Sequence, residues 1–502
     1  MWASSVFTDP AYETRNYEGS EVFYGCRALV ARPVMIRTTL KSRTLYLLAS
    51  VAALLLLPAW QPSGSPAAET AAPGPAAGQL TLPGEDYVQG QVLVQFSRGA
   101  APEVIPVPVT SDEESVAEVL EERPGIISAS PNYIARISRW IPDDPGMNPP
   151  KTGGRAGWQK RQWNLLPCFS LCSPDSASNS LQSRGGANVI RAWQNLRQAG
   201  RAGAKGVRVA VLDSGVAYRD FGRGFRRNPD FSPRTFLPGY DFVQNDRFPL
   251  DLNGHGTHIA ATIAQATNNG LGLTGIAYGA RIIPVRVIDP NGFGSTYNII
   301  RGIRWAANNG ADVINMSLNF ACGTSIPALD SALLYAFNKG VVLVGSAGNV
   351  GSQTCPSPPA TSPGVIAVGG TTESGCLATY SFEDPEIDIV APGGGAQRAD
   401  CPFSAANRGI LQVAMVARDP RWFGIENIWS GTSMAAAHVS AGAAMVLASD
   451  VLKDGRGPLK VRERLLGTAR MPAYAASNPA SGFGAGIIDL GRATNSGLLL
   501  TG

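Results

Sequence analysis

The sequence predicts an α/β fold of three layers, a mostly parallel sheet with helices on both faces, preceded by a small α+β unit. Two observations point there. Between residues 162 and 490, short β-branched apolar runs alternate with longer segments of helical spacing, which is how a parallel sheet buried on both faces reads. Upstream, residues 87–137 carry a strand, a helix and a second extended stretch, fenced by Pro/Gly-rich segments at 61–84 and 142–157. That unit is too small for a sizeable core of its own.

In chain order, 34 residues precede Met35. Arg37, Lys41 and Arg43 then give a basic start, Leu45 to Leu57 is an uncharged apolar run, and Pro58 ends it. A bilayer-spanning helix needs about 20 apolar residues, so residues 35–60 read as a signal peptide, with an uncleaved N-terminal anchor as the alternative. Because a signal begins at the initiator, translation is expected to start at Met35, with 1–34 an upstream extension. Residues 61–86 have linker composition. In the small unit, Val92 to Phe96 reads as a strand, Glu113 to Glu122 as a helix with an acidic start, and Ile126 to Ile134 as extended. In the large unit, Val207–Leu212, Arg281–Ile288, Val313–Leu318, Val341–Val344 and Val365–Val368 read as strands, and Asn298–Asn308 and Ala328–Asn338 as helices.

Composition narrows the function. Lys and Arg total 42 against 38 Asp and Glu, a net charge of +4, and charged residues are only 16% of the chain. That balance excludes a strongly basic nucleic-acid binder and an acidic disordered tail. Besides Cys26 there are six cysteines, Cys168, Cys172, Cys322, Cys355, Cys376 and Cys401, none in a CxxC or Cys/His cluster with zinc spacing. Disulfides in an oxidising compartment fit them better than a metal, and spacing alone leaves the pairing open.

Three segments carry chemistry: Val211-Leu-Asp213-Ser-Gly215, Asn253-Gly-His255-Gly-Thr-His258 and Gly431-Thr-Ser433-Met-Ala-Ala-Ala-His438. A serine hydroxyl needs a neighbouring base to become a nucleophile, imidazole is the usual base near neutrality, and a buried carboxylate fixes the imidazole tautomer. Each residue alone has a bland reading, Asp213 as a strand end and Ser433 as a turn. The chain has only three histidines and all lie in these segments, which weighs against coincidence. Zinc is the rival use of His255 and His258, but they are three apart and lack the His-Glu-x-x-His pattern.

In the order Asp, His, Ser these segments resemble the subtilisin-like (subtilase) serine peptidases. The resemblance covers residues 142–492 and implies an exported endopeptidase of that family's fold acting through an acyl-enzyme. It casts Asp213 as the orienting carboxylate, His255 as the base, Ser433 as the nucleophile, and Asn349 of Gly345-Ser-Ala-Gly-Asn349 as an oxyanion donor. Ser317, Leu318 and Asn319 with Ser346, Ala347 and Gly348 would bind the substrate. The chain departs from the family at Ala437 (usually Pro), Ala261 (usually Gly) and Asn319 (usually Gly), and Asn319 puts a side chain where peptide or the pocket wall should lie.

Residues 87–137 are similar to the family's inhibitory propeptide, which implies a self-processing precursor cut between Arg136 and Arg161. The family also implies structural Ca²⁺, with Asn268 in the loop 268–275 and Asp230 as ligands; a second candidate, Asp241 to Asp246, has Gln244 where a carboxylate is usual. The resemblance pairs Cys322 with Cys355, leaving Cys376 with Cys401 and Cys168 with Cys172. Expected partners are protein or peptide substrates and the chain's own propeptide, without nucleic acid. A membrane enters only through an uncleaved N-terminal segment, the location is secreted or extracytoplasmic, and a monomer is expected. The competing function class is a catalytically silent binding module on the same fold.

Overall fold

A computed structural model describes residues 87–108, 112–133, 140–147, 157–168, 182–349, 355–403, 406–453, 455–472, 475 and 482–498. The upstream extension (1–34), the signal or anchor segment (35–60), the linker (61–86) and Cys172 lie outside them. No helix among the described residues is long and apolar enough to cross a membrane. The chain divides into two compact units, 1–135 and 136–502.

In the first unit, β1 (Tyr87–Gln95) is the central strand of an antiparallel sheet, between β2 (Glu103–Pro106) and β3 (Ser128–Tyr133). Helix α1 (Glu113–Glu121) buries Ala117 and Leu120, which cluster with Val92, Val94 and Val107. The Glu113 carboxylate accepts from Gly90 N at 2.7 Å, tying the helix start to β1. The sequence reading missed β2. It is a four-residue, mostly exposed edge strand ending in proline, which gives no period-2 apolar signal.

The second unit is built on a seven-stranded parallel sheet. In chain order its strands are β4 (Arg208–Asp213), β5 (Tyr240–Asp241), β6 (Arg281–Arg286), β7 (Val313–Met316), β8 (Val342–Ser346), β9 (Val365–Thr371) and β10 (Ile389–Pro392). Their spatial order is β10-β9-β8-β7-β4-β6-β5. β4 is nearly central, flanked by β6 and β7, with Asp213 opposite Arg286. One face carries α4 (Thr296–Asn308) and α5 (Pro327–Asn338) over an aliphatic cluster that includes Leu212, Ile283 and Leu343. The other carries α2 (Val189–Gln198), α3 (His255–Ala264) and α6 (Thr432–Ala448). This is the three-layer α/β architecture expected. The antiparallel hairpin of β11 (Val413–Met415) and β12 (Phe423–Ile425) precedes α6; α7 (Pro458–Gly467) and α8 (Leu490–Ala493) complete the domain.

Helix α6 decides where the site forms. All 17 of its residues are buried, as expected of a helix apolar on every side. Small residues make this possible: a Cβ added at Gly442 would come within 2.6 Å of Leu490. With the helix locked against the sheet, its first turn is held beside the carboxyl ends of β7 and β8, where parallel sheets of this kind bind ligands.

Candidate active site

Asp213 ends β4 with its carboxylate buried and 2% exposed. Its Oδ1 accepts from Ser214 N at 2.7 Å, and both oxygens face His255 Nδ1, at 2.8 and 3.0 Å. The imidazole is 25% exposed. With Nδ1 turned to the carboxylate, Nε2 on the opposite edge of the ring is left for the reacting side. Burial works against the imidazolium, but the Asp213 charge and hydrogen bond, helped by Asp251, outweigh it and lift His255 above its ordinary pKa.

His255 opens α3, and a second buried carboxylate sets that opening. Asp251 Oδ1 accepts from Ser214 Oγ, Asn253 N and Gly254 N, and Oδ2 from Thr257 N and Thr257 Oγ1, all at 2.6–3.0 Å. Ser214 Oγ in turn accepts from Gly256 N at 3.0 Å. Position 256 must be glycine, because a Cβ would lie 2.2 Å from Gly215 O. Sequence reasoning missed Asp251; an acidic residue just ahead of a helix is too common a capping signal to single out.

Ser433 is the second residue of α6. Its hydroxyl donates to Ser317 O at 3.3 Å, and its carbonyl accepts from Ser317 Oγ at 2.9 Å. The hydroxyl thus rests on Ser317 O, and hydrogen bonds between a serine and its base are commonly loose until substrate binds. Behind Ser317 runs a buried chain, Asn315 Nδ2 to Ser317 Oγ and Ser440 Oγ to Asn315 Oδ1, both at 2.9 Å. It ties the Ser433 backbone to the third turn of its own helix through β7. Neither Asn315 nor Ser440 stands out in the sequence.

Asn349 follows β8. Its Oδ1 accepts from Thr432 N at 2.7 Å and Thr432 Oγ1 at 2.9 Å, which leaves Nδ2 free to donate above Gly431. A Cβ on Gly431 (φ 151°) would come 3.1 Å from that nitrogen. Ser317, Leu318, Asn319, His255, Trp429 and Arg418 are among the residues lining a cavity of about 420 Å³ beside this centre. Ser346, Ala347 and Gly348 run from the end of β8 towards Asn349. The other two histidines are core residues. His258 Nε2 meets Ile410 O at 2.9 Å under Trp429, and His438 is held by Asn164 and Met434 O. Burial pushes His258 down to about 3 and His438 to about 4, so both are neutral.

Cys322 is bonded to Cys355 and Cys376 to Cys401, with Cα separations of 5.7 and 5.8 Å. Cys168 is also disulfide-bonded; its expected partner, Cys172, is outside the described residues.

The loop around 268–273 gathers two buried carboxylates. Asp230 accepts from Gln265 Nε2 (2.5 Å), Asn269 Nδ2 (2.8 Å) and Leu273 N (2.9 Å), and Asp144 from Asn268 N and Asn269 N. Burial raises Asp230 to about 8, with Asp144 adding to the rise, and raises Asp144 itself to about 6. The Asn268 side chain instead accepts from Asp143 N, so Asn269, not Asn268, is the side chain that meets Asp230. Among the described residues no three His, Cys, Asp or Glu converge for a metal. A cation here would be held by two carboxylates, hard oxygen donors of the kind that suit Ca²⁺, and would displace N–H groups they now accept from, while Asn269 Oδ1 accepts from Leu271 N at 3.1 Å. The second candidate loop does not fit, because Asp241 is spent on a buried ion pair with Arg286 (2.8 Å) and on the turn N–H groups of Val243 and Gln244.

The Peptidase_S8 (subtilase family) model matches residues 204–486. The chain belongs to the subtilase family. It is 33% identical over 405 residues to the thermophilic serine proteinase of Bacillus sp. (strain AK1), covering 76% of this chain and 82% of that protein. It is 35% identical over 268 residues to thermitase of Thermoactinomyces vulgaris, covering 53% and 82%. A solved protease structure from Pseudoalteromonas arctica aligns with a TM-score of 0.50 and 32% identity, over 62% of this chain and 94% of that one. This subtilase is therefore a serine-type endopeptidase of the subtilisin-like fold, with proteins or peptides as substrates.

Proposed function

We propose that this subtilase cleaves peptide bonds through an Asp213–His255–Ser433 triad and is made as an exported, self-processing precursor. The observation that carries the reading is the buried Asp213 carboxylate holding His255 Nδ1 on the wall of a cavity whose neighbouring wall, Ser317, receives the Ser433 hydroxyl. Ser433 Oγ attacks the scissile carbonyl while His255 Nε2 takes its proton, and Asp213 stabilises the imidazolium so formed. The oxyanion lies against Asn349 Nδ2 and Ser433 N, donors already oriented before charge develops. His255 then protonates the leaving amine, and water repeats the sequence on the acyl-enzyme. A fluorophosphonate probe should label the purified protein at Ser433, and the protein should digest casein. A folded protein that does neither is the silent module instead.

The acid limb of activity follows from His255. Its pKa is raised, so the imidazolium persists above the ordinary value of 6.5 and the base is lost as pH falls through the raised value. The kcat/KM profile on a peptide substrate should therefore reach half-maximum above pH 6.5; a midpoint well below it would contradict the Asp213–His255 coupling.

Residues 87–137 serve as the propeptide in this reading, supported by their sequence pattern and by the small α+β arrangement of the described residues 87–108 and 112–133. The oxidising compartment that disulfides require supports export. Calcium is the structural cation we assign to Asp144, Asp230 and Asn269, where a divalent charge would offset two buried carboxylates. It takes no part in the reaction. Chelation should lower the Tm and added Ca²⁺ should restore it, whereas Asp230→Asn should remove the response to both. A Tm indifferent to chelator would mean that hydrogen bonds alone hold the loop.

A further inference from the structure

Between the segments that follow β7 and β8 lies the gap that the acyl-side residue of a substrate has to enter. Ser317 O receives the nucleophile's hydroxyl on one side, and Asn349 sits over Gly431 and Thr432 on the other. A side chain carried by the residue whose carbonyl is attacked (P1) therefore points between 317–320 and 346–349. In this chain the gap is stitched across. Asn319, at the exposed rim, donates its Nδ2 to Ser346 O, and Ser346 Oγ donates back to Asn319 Oδ1 at 3.1 Å. Further along, Phe320 N donates to Pro358 O at 2.9 Å, and the Cys322–Cys355 bond joins the same two segments.

The floor is closed as well. A Cβ built on Gly348 would meet Phe382 Cε2 at 3.2 Å, Ser357 Oγ at 3.5 Å and Asn319 Nδ2 at 3.8 Å. Ser346 and Ser357 are fully buried and Phe382 nearly so. A long or aromatic side chain has to break both Asn319–Ser346 hydrogen bonds to enter, while a short one stops at the rim and leaves them intact.

We infer that Asn319 and Ser346 form a clasp across the P1 slot that restricts this subtilase to substrates with small P1 residues: glycine, alanine and serine. The inference rests on the catalytic reading above, because that reading fixes which gap P1 enters. The clasp makes Asn319 a specificity-determining residue, with Ser346 as its positioning partner.

The test is a set of peptide substrates differing only at P1, assayed on enzyme whose active centres are counted with a fluorophosphonate. Wild type should cleave after Ala with kcat/KM roughly 10-fold or more above that after Phe, and Asn319→Gly should raise the Phe-to-Ala ratio by a similar factor. Ser346→Ala, which removes one of the two bonds, should raise it less and serves if Asn319→Gly does not fold. A wild-type enzyme that prefers Phe or Leu, or a ratio that neither substitution moves, overturns the clasp. If the probe labels nothing, the catalytic reading fails on its own account. Calorimetric titration of the wild-type protein with product-like peptides ending in Ala or Phe then reads the slot without catalysis, and equal or tighter binding of the Phe peptide overturns the clasp.

Discussion

Ser433→Ala should abolish fluorophosphonate labelling and lower peptide hydrolysis by roughly 10⁶-fold in kcat, with His255→Ala close behind, because nucleophile and base act as one unit. The fold should barely notice. The hydroxyl makes one 3.3 Å bond to Ser317 O, and losing a single neutral hydrogen bond costs about 1 kcal/mol. Thermal unfolding followed beside the assay separates chemistry from misfolding. The same substitution reads the maturation route: expressed from Met35, the variant should accumulate uncut, or as a complex that retains residues 87–137. Substantial hydrolysis by either variant would mean that another residue is the nucleophile or base. A Ser433→Ala precursor cut at the wild-type position without added protease would rule out self-processing.

Asn349→Ala should lose roughly 100- to 1000-fold in kcat with KM little changed, the usual cost of one oxyanion donor. The prediction needs a control, because Asn349 Oδ1 also caps Thr432 N and Thr432 Oγ1. Asn349→Asp keeps that acceptor and removes the donating nitrogen, and it sets a negative charge beside the developing oxyanion. It should be at least as impaired as the alanine variant. If Asn349→Asp is nearly as active as wild type, the residue merely holds Thr432 in place.

The parallel sheet was legible because its strands are buried on both faces and so read as continuous β-branched runs, from Val209–Leu212 to Val365–Val368. Asp213, His255 and Ser433 stand out in the sequence because each lies in a short segment whose small neighbours admit a backbone. What the sequence hid is what only folding brings together. Asp251 looks like any capping acid. Ser440 lies 125 positions from the Asn315 it holds, and Asp144 lies 125 positions from the Asn269 amide that it accepts from. Such contacts leave no periodicity to read. The scarcity of histidine misled in part: His258 and His438 belong to the motifs, yet both are neutral core side chains with backbone or amide partners. In the loop 268–275, Asn268 and Asn269 are indistinguishable in sequence, and only the backbone shows that the Asn269 amide faces Asp230.

The total burial of α6 has a kinetic corollary. Ser433, the proposed nucleophile, lies in the first turn of a helix with no solvent face, so that helix cannot fray or detach without opening the core it fills. Competence is then lost in one step with the fold, and a partly opened molecule is not a weakened protease but an unarmed one. Among intact neighbours, such a molecule is also an unfolded polypeptide, which is what those neighbours digest. Each excursion into the open state therefore carries a risk that grows with the number of active molecules nearby. Loss of activity in a concentrated solution becomes a bimolecular event, whereas in a dilute one it is governed by the opening equilibrium alone.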